Sequence, residues 1–184
     1  MSKTHPDIVI LGYSEAAMLL KQKTEINLVG LVSISGQRDP QLVAAILPRL
    51  DLSFDDTPVI DDTDAVGQYR LREQRRKAAE IGLNLQPPTA QDARAIIEFI
   101  EPMSDPTGTL MFQCFAGISR SAGAALLALA QWHGPGEEEQ SVRDLFVARP
   151  AAQPHTGLIR YGDLALGRGG RLIEALAAEQ RRRM

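Results

Sequence analysis

Two rhythms of apolar residues alternate along this chain. Residues 7–11 carry Ile8-Val9-Ile10-Leu11 and run into Gly12, residues 26–34 are rich in β-branched side chains, and Leu50, Leu52 and Phe54 alternate with polar neighbours. These patterns predict strands. Residues 110–114 form another apolar run, short enough for a buried strand. Between the strands the spacing turns helical. Ser14 is placed to cap a helix over 15–21, and 41–46 fits a short helix ahead of Pro48, after turn chemistry at 35–40. Thr89 with Asp92 predicts a capping-box start, followed by Ala93, Ile96, Ile97 and Ile100 on one helix face, and Pro102 ends it. Residues 122–132 are apolar on nearly every side, which predicts the most buried helix. Strands and helices in this order give an α/β sheet protein.

The C-terminal third reads as helices. His133-Gly134-Pro135-Gly136 stops the buried helix, and Glu137, Glu138 and Glu139 put negative charge at the start of the next one, with Val142, Leu145 and Phe146 inward. Arg149-Pro150 ends that helix. A further helix is expected around 158–166, a glycine-rich connector at 167–170, and a last helix over 171–182 whose basic end suits the helix dipole.

The chemistry concentrates where the fourth strand meets the buried helix. A strand that delivers a loop onto a helix N-terminus points successive backbone N–H groups and the positive end of the dipole at one spot, which suits phosphate. Cys114 sits at the start of that loop, Phe115-Ala116-Gly117-Ile118-Ser119 form it, and Arg120 closes it. The same field favours the thiolate of Cys114, and Arg120 adds a planar, permanently charged fork.

Cys114 and Arg120 with five residues between them, Gly117 in the middle and Ser121 after the arginine, resemble the signature loop of the cysteine-dependent protein tyrosine and dual-specificity phosphatases. The likeness extends from about residue 50 onward. It takes in Leu-Ser-Phe-Asp-Asp at 52–56, Ile-Glu-Phe-Ile at 97–100, Arg149-Pro150 and Leu-Gly-Arg-Gly-Gly at 166–170, and is similar to a group of compact bacterial tyrosine-phosphatase-like proteins. The resemblance implies a central, mainly parallel sheet with helices on both faces, of the dual-specificity type. It implies Cys114 as nucleophile, amides of Phe115 to Arg120 and the Arg120 guanidinium as the phosphate cradle, and Ser121 as hydrogen-bond donor to the departing thiolate. The residue before the cysteine, usually His in that family, is Gln113; its amide can also donate and accept, and it takes the loop-orienting role.

A thiolate that takes a phosphoryl group needs a proton donor for the leaving oxygen. The loop at 55–64 is crowded with carboxylates, and by resemblance Asp56 is the general acid, with Asp55 as the alternative. Asp61, Asp62 and Asp64 read as solvated turn residues. The charged stretch at 68–81 reads as a solvated helix, or else as a basic flap that meets an acidic phosphosubstrate. Two functions are compatible with the loop: a phosphomonoester hydrolase acting on phosphotyrosine protein or a small phosphomonoester through a cysteinyl-phosphate, or a pseudophosphatase that binds phosphorylated ligands without turnover. Phe115, Ala116, Ile118 and Ser119 add no cation, so a monoester is favoured over an inositol polyphosphate.

Composition narrows the rest. With 184 residues and 44% hydrophobic content, one core and a single domain spanning the chain are expected. A net charge of −3 gives no general attraction to nucleic acid or anionic membrane, and no apolar run reaches membrane-spanning length. The single cysteine excludes an intrachain disulfide and favours a reducing, cytoplasmic setting. His5, His133 and His155 lack metal-ligand spacing, so no metal is expected, and the implied mechanism requires no cofactor.

Overall fold

The computed structural model describes residues 5–21, 27–34, 48–59, 63–82, 85–103 and 105–183. Four strands, β1 (Asp7–Gly12), β2 (Leu28–Ile34), β3 (Arg49–Leu52) and β4 (Thr109–Cys114), form one sheet in the order β1-β4-β2-β3. Every neighbouring pair is parallel. The fold is α/β, as the alternation of strand and helix patterns predicts. Cys114 is level with Gly12 on one side and Ile34 on the other, so three strands end together beneath the loop.

The strands alternate between two apolar layers, as period-two side chains must. Val9, Leu11, Leu31 and Met111 pack with Ala16 of α1 (Tyr13–Lys21) on one face. Ile10, Val32, Ile34, Leu110, Phe112 and Cys114 face the larger core on the other. That core is closed by α3 (Ala90–Ile100), α4 (Arg120–His133), α5 (Glu138–Ala148), α6 (Thr156–Ala165) and α7 (Arg171–Arg183). Helix α4 is buried from Ser121 to Ala130 and spans the middle of this layer. The parallel sheet is thus covered on both faces, which is why its strands read as nearly continuous apolar runs.

Several local expectations are met by specific bonds. Thr89 and Asp92 make both halves of a capping box at the start of α3. The glycine connector at 167–170 is held by buried Asp163, whose carboxylate accepts from the Gly170 and Leu172 amides at 2.6 and 2.9 Å.

Others are corrected. Helix α1 begins at Tyr13, one residue before the expected cap Ser14, and Glu15 rather than Ser14 satisfies the chain at its start by accepting from the Gly12 amide at 2.6 Å. Strand β3 ends at Leu52, so Phe54 is buried beyond the strand instead of within it. The charged helix, α2 (Ala65–Glu80), starts earlier than the charge pattern suggests. Asp64, expected as a solvated turn residue, caps it by accepting from the Gly67 amide. The expected helix at 41–46, the turn at 35–40, the strand start at 26, and Asp61 and Asp62 lie outside the described residues. Among the described residues, no helix is long and apolar enough to cross a membrane, and no group of three or more His, Cys, Asp or Glu side chains is placed to hold a metal ion.

Candidate active site

The loop from Cys114 to Arg120 leaves β4 and turns directly into α4. Its carbonyls are engaged from outside. The Phe115 carbonyl accepts from the Tyr13 amide at 3.0 Å, Ile118 from Gln153 at 2.9 Å, Ser119 from His155 at 3.2 Å, and Gly117 from Nε of Arg149 at 3.1 Å. With these oxygens turned outward, amide edges are left on the side of the thiol. The Gly117 amide donates to Cys114 Sγ at 3.2 Å, and the Ser121 hydroxyl lies 3.1 Å from the same sulfur.

Gly117 makes this turn possible in two ways. Its φ is +69°, and a Cβ there would lie 2.3 Å from the Gly12 nitrogen and 2.4 Å from the Leu11 carbonyl carbon. Any side chain would be strained and would also collide with backbone. The loop is therefore seated directly on the junction of β1 and α1. Arg149 braces the same junction from the far side, with Nη1 and Nη2 on the two Glu15 carboxylate oxygens at 3.0 Å each. Bonding to Arg149, and next to the Gly12 amide, holds the Glu15 carboxyl below its usual range against a small opposing effect of burial.

Cys114 is only 2% exposed. Burial pushes its thiol up, yet the bonds from the Ser121 hydroxyl and from the Ser121, Gly117 and Ile118 amides outweigh that, and its pKa lies below the ordinary thiol value. All of these donors stabilise the thiolate. Gln113, buried beside it on the opposite face of the sheet, accepts from Ser33 Oγ at 2.9 Å and donates to the Cys114 carbonyl at 3.1 Å. Both ends of its amide are thus used, one of them on the backbone of the cysteine.

Ser119 occupies the position before the first residue of α4 but does not cap the helix. Its hydroxyl donates instead to Asp56 Oδ1 at 2.5 Å, which ties the acid loop to the loop that carries Cys114. With no cap bond from Ser119, an anion at this spot would meet the N-terminus of α4. Arg120 donates from Nη1 to the Phe54 carbonyl at 3.0 Å, and its Nε is buried without a partner among the described residues. An oxyanion would supply the missing acceptor.

The two candidate acids part company. Asp55 is turned to Gln86: its carboxylate accepts from the Gln86 amide at 2.9 Å while its own amide donates to the Gln86 carbonyl at 2.6 Å. Asp56 is the one that reaches the loop, with its side chain 53% exposed. Phe115 is 73% exposed and Ala116 is exposed, so these two form the rim and contribute backbone, not side chain, to the interior.

Sequence reasoning missed three residues of the surrounding frame. Glu15 and Arg149 brace Gly117, and His155 braces the acid loop. His155 Nδ1 accepts from the Leu158 amide at 3.3 Å as the cap of α6, which leaves the ring proton on Nε2, donated to the Thr57 carbonyl at 2.9 Å. Nε2 also lies 4.0 Å from Asp56 Oδ1. Gly157 lets Val59 pack closely, since a Cβ would fall 2.4 Å from the Val59 Cγ2. The signals the chain offers are Arg149 ahead of Pro150 and a histidine three residues before the helix expected at 158–166.

No protein-family model matches the chain, and no curated protein matches it either. Among solved structures it is similar to human DUSP28 at 19% identity, with 99% of each chain covered and a TM-score of 0.48. It is similar to the Yvh1 phosphatase domain from Chaetomium thermophilum at 17% identity, over 92% of this chain and 97% of that one, with a TM-score of 0.49. A third similar structure is PTPMT1, at 13% identity over 97% and 99% of the two chains, with a TM-score of 0.47.

Proposed function

We propose that this protein is a phosphomonoester hydrolase of the tyrosine and dual-specificity phosphatase type, working through a cysteinyl-phosphate. One observation carries the reading: Cys114 Sγ is ringed by the Ser121 hydroxyl and loop amides, while Ser119 of the same loop holds the carboxylate of Asp56.

The steps follow from charge placement. The Cys114 thiolate attacks phosphorus in line, forming an S–P bond as the bond from phosphorus to the leaving oxygen breaks. Loop amides and the Arg120 guanidinium hold the equatorial oxygens, where negative charge sits in the transition state. Asp56 gives its proton to the leaving phenolate or alkoxide. Water then attacks phosphorus and loses a proton to the Asp56 carboxylate. The S–P bond breaks, inorganic phosphate leaves, and the Ser121 hydroxyl stabilises the returning thiolate. Gln113 keeps the Cys114 carbonyl fixed through both steps. No step calls for a metal or an organic cofactor. The substrate class is a phosphotyrosine protein or a small phosphomonoester, because the loop side chains 115, 116, 118 and 119 add no charge for a polyphosphate.

Hydrolysis of an aryl phosphate, measured with reductant and chelator, tests this. Turnover by the wild type that disappears in Cys114→Ser, with mass-spectrometric trapping of a phosphorylated wild-type chain at low pH, is the expected result. Vanadate or phosphate binding that depends on Arg120, with no wild-type turnover, would replace the hydrolase by a pseudophosphatase. Absence of both turnover and oxyanion binding would sink the reading altogether.

A further inference from the structure

Helix α2 lies between the acid loop and α3 in the chain, and its charge sets it apart. It carries Arg70, Arg72, Arg75, Arg76 and Lys77 against Glu73 and Glu80, in a protein whose net charge is −3. Arg76 is taken by both carboxylates, at 3.1 Å to Glu73 and 2.5 Å to Glu80. Arg70, Arg72, Arg75 and Lys77 are exposed and make no ion pair among the described residues. Leu71 and Ala78 are the helix's buried anchors, so the cations stand on a helix fixed to the body from one side.

Helical spacing divides the unpaired cations into two flanks. Arg70, Gln74 and Lys77 recur at i, i+4 and i+7 and share one stripe, while Arg72 and Arg75 share another. The first stripe is the one that faces chemistry. Gln74 and Lys77 line an open cleft of about 460 Å³ together with Asp55, Asp56, Thr57, Pro58 and Leu85, and Arg70 stands on the same stripe outside it. The carboxyl proposed to protonate the leaving group and the cation of Lys77 therefore border the same space. A phosphoresidue whose leaving oxygen meets Asp56 has this cleft beside it, with Lys77 on its wall and Arg70 two turns back along the stripe.

We infer that the Arg70–Gln74–Lys77 stripe is a substrate subsite that takes carboxylate side chains next to the phosphorylated residue of a polypeptide. It rests on the function proposed above and narrows it, from phosphomonoesters in general to phosphopeptides with acidic flanks. Charge complementarity supplies the preference, and Leu85 gives the cleft an apolar wall for the stems of Asp and Glu side chains. Exposed pairs of this kind are worth little one at a time and fade with salt.

The test compares kcat/KM for two phosphotyrosine peptides, one flanked by Glu and the other by Gln at the same positions, at low and high ionic strength. Wild type is expected to favour the Glu peptide by about fivefold at low salt, the yield of two exposed pairs, and less at high salt. The double variant R70Q/K77Q is expected to lose that ratio, while R72Q/R75Q, with the same charge change on the other flank, keeps it. Equal rates for the two peptides, or a ratio lost equally in both double variants, would overturn the subsite even if aryl phosphate is hydrolysed. If wild type hydrolyses nothing, the proposed activity fails separately. Fluorescence binding of the same two peptides then decides the subsite, with Glu selectivity lost in R70Q/K77Q supporting it and no selectivity refuting it. Binding of α2 to vesicles of anionic lipid, without peptide selectivity, would reassign the stripe to a membrane surface and overturn it.

Discussion

The nucleophile half and the acid half of the site are held by different means. From Gln113 to Ser121 the nucleophile loop is one contiguous stretch, its cysteine is buried, and its geometry is set by the strand before it, the helix after it and the seat of Gly117 on β1. The acid loop, at 53–59, is more exposed and is tied down by residues distant in sequence. Arg120 holds the Phe54 carbonyl, Gln86 holds Asp55, Ser119 holds the Asp56 carboxylate, and His155 holds the Thr57 carbonyl. A cradle for phosphate can be written locally because a strand, a loop and a helix N-terminus are consecutive. A proton donor has to be brought from elsewhere and positioned by tertiary contacts, so its placement depends on many small bonds.

Arg120 belongs to both halves, and its loss is expected to have the largest effect among the positions compared here. In the proposed mechanism its guanidinium supplies the fork for the phosphoryl oxygens; it also carries the Phe54 carbonyl, and its Nε has no partner among the described residues. Arg120→Lys keeps the charge but removes the planar fork, so kcat/KM for an aryl phosphate should fall by about 10³, the cost of losing aligned donors to a developing oxyanion. Steady-state kinetics beside circular dichroism would check this. A loss under tenfold in a folded variant would mean that the cradle does not act through Arg120.

Asp56→Asn separates the halves most cleanly. Losing the general acid is expected to cost about 10², the lower end of what such catalysis contributes. The loss should be large for alkyl and unactivated aryl esters and shrink toward nothing for a nitrophenolate that leaves without a proton. The cysteinyl-phosphate should still form, because the nucleophile loop stays intact. Asp55→Asn, by contrast, should leave this leaving-group dependence unchanged, since Asp55 is committed to Gln86. Equal effects of the two variants would leave Asp56 without its assigned role as general acid.

The same contrast governs how much could be read from the chain. The sheet, the buried helix and the capping box were legible because each is written in periodicity within a dozen residues, and the Cys114-to-Ser121 stretch because its chemistry is consecutive. Residues 55–64 announced an acid loop, yet sequence could not choose between Asp55 and Asp56. The contacts that distinguish the two come from Gln86 and Ser119, 31 and 63 residues away from their partners. Nothing in the chain marks Glu15, because its pairing with Arg149 spans 134 positions. Phe54 kept the alternation of β3 but passed the end of the strand, where pairing with β2 stops at Leu52. Long-range polar pairs leave no period behind, so they are invisible until the fold brings them together.

Within the nucleophile half, Ser121→Ala should show what the hydroxyl does for the sulfur. It removes a donor to the thiolate, so the pKa of Cys114 rises and the acidic limb of kcat/KM moves to higher pH. A bond to a charged group of this kind is worth about tenfold or more in rate. The thiolate is also the leaving group of the second step, so the phosphorylated chain should accumulate and give a burst of phenolate. No burst and an unmoved acidic limb would remove Ser121 from the mechanism.

The smallest effect expected is at His155, and it addresses the acid half alone. The imidazole touches no reacting atom in the proposed mechanism; it acts through the Thr57 carbonyl, one residue beyond Asp56, as a positioning residue. His155→Ala loses one buried hydrogen bond from the acid loop and the cap of α6, so some loss of thermal stability is expected whatever its role in the site. The kinetic signature is what distinguishes positioning from stability. If the acid loop is held by Nε2, kcat for an unactivated ester falls about fivefold, as for one bond's worth of misplacement, while the nitrophenolate substrate and the pH of the acidic limb are unaffected. His155→Asn, whose amide can still cap the helix and donate nearby, should recover part of the loss. An equal drop for both esters would mean that His155 supports the fold as a whole, and the division into a locally built nucleophile and a remotely held acid would lose its sharpest support.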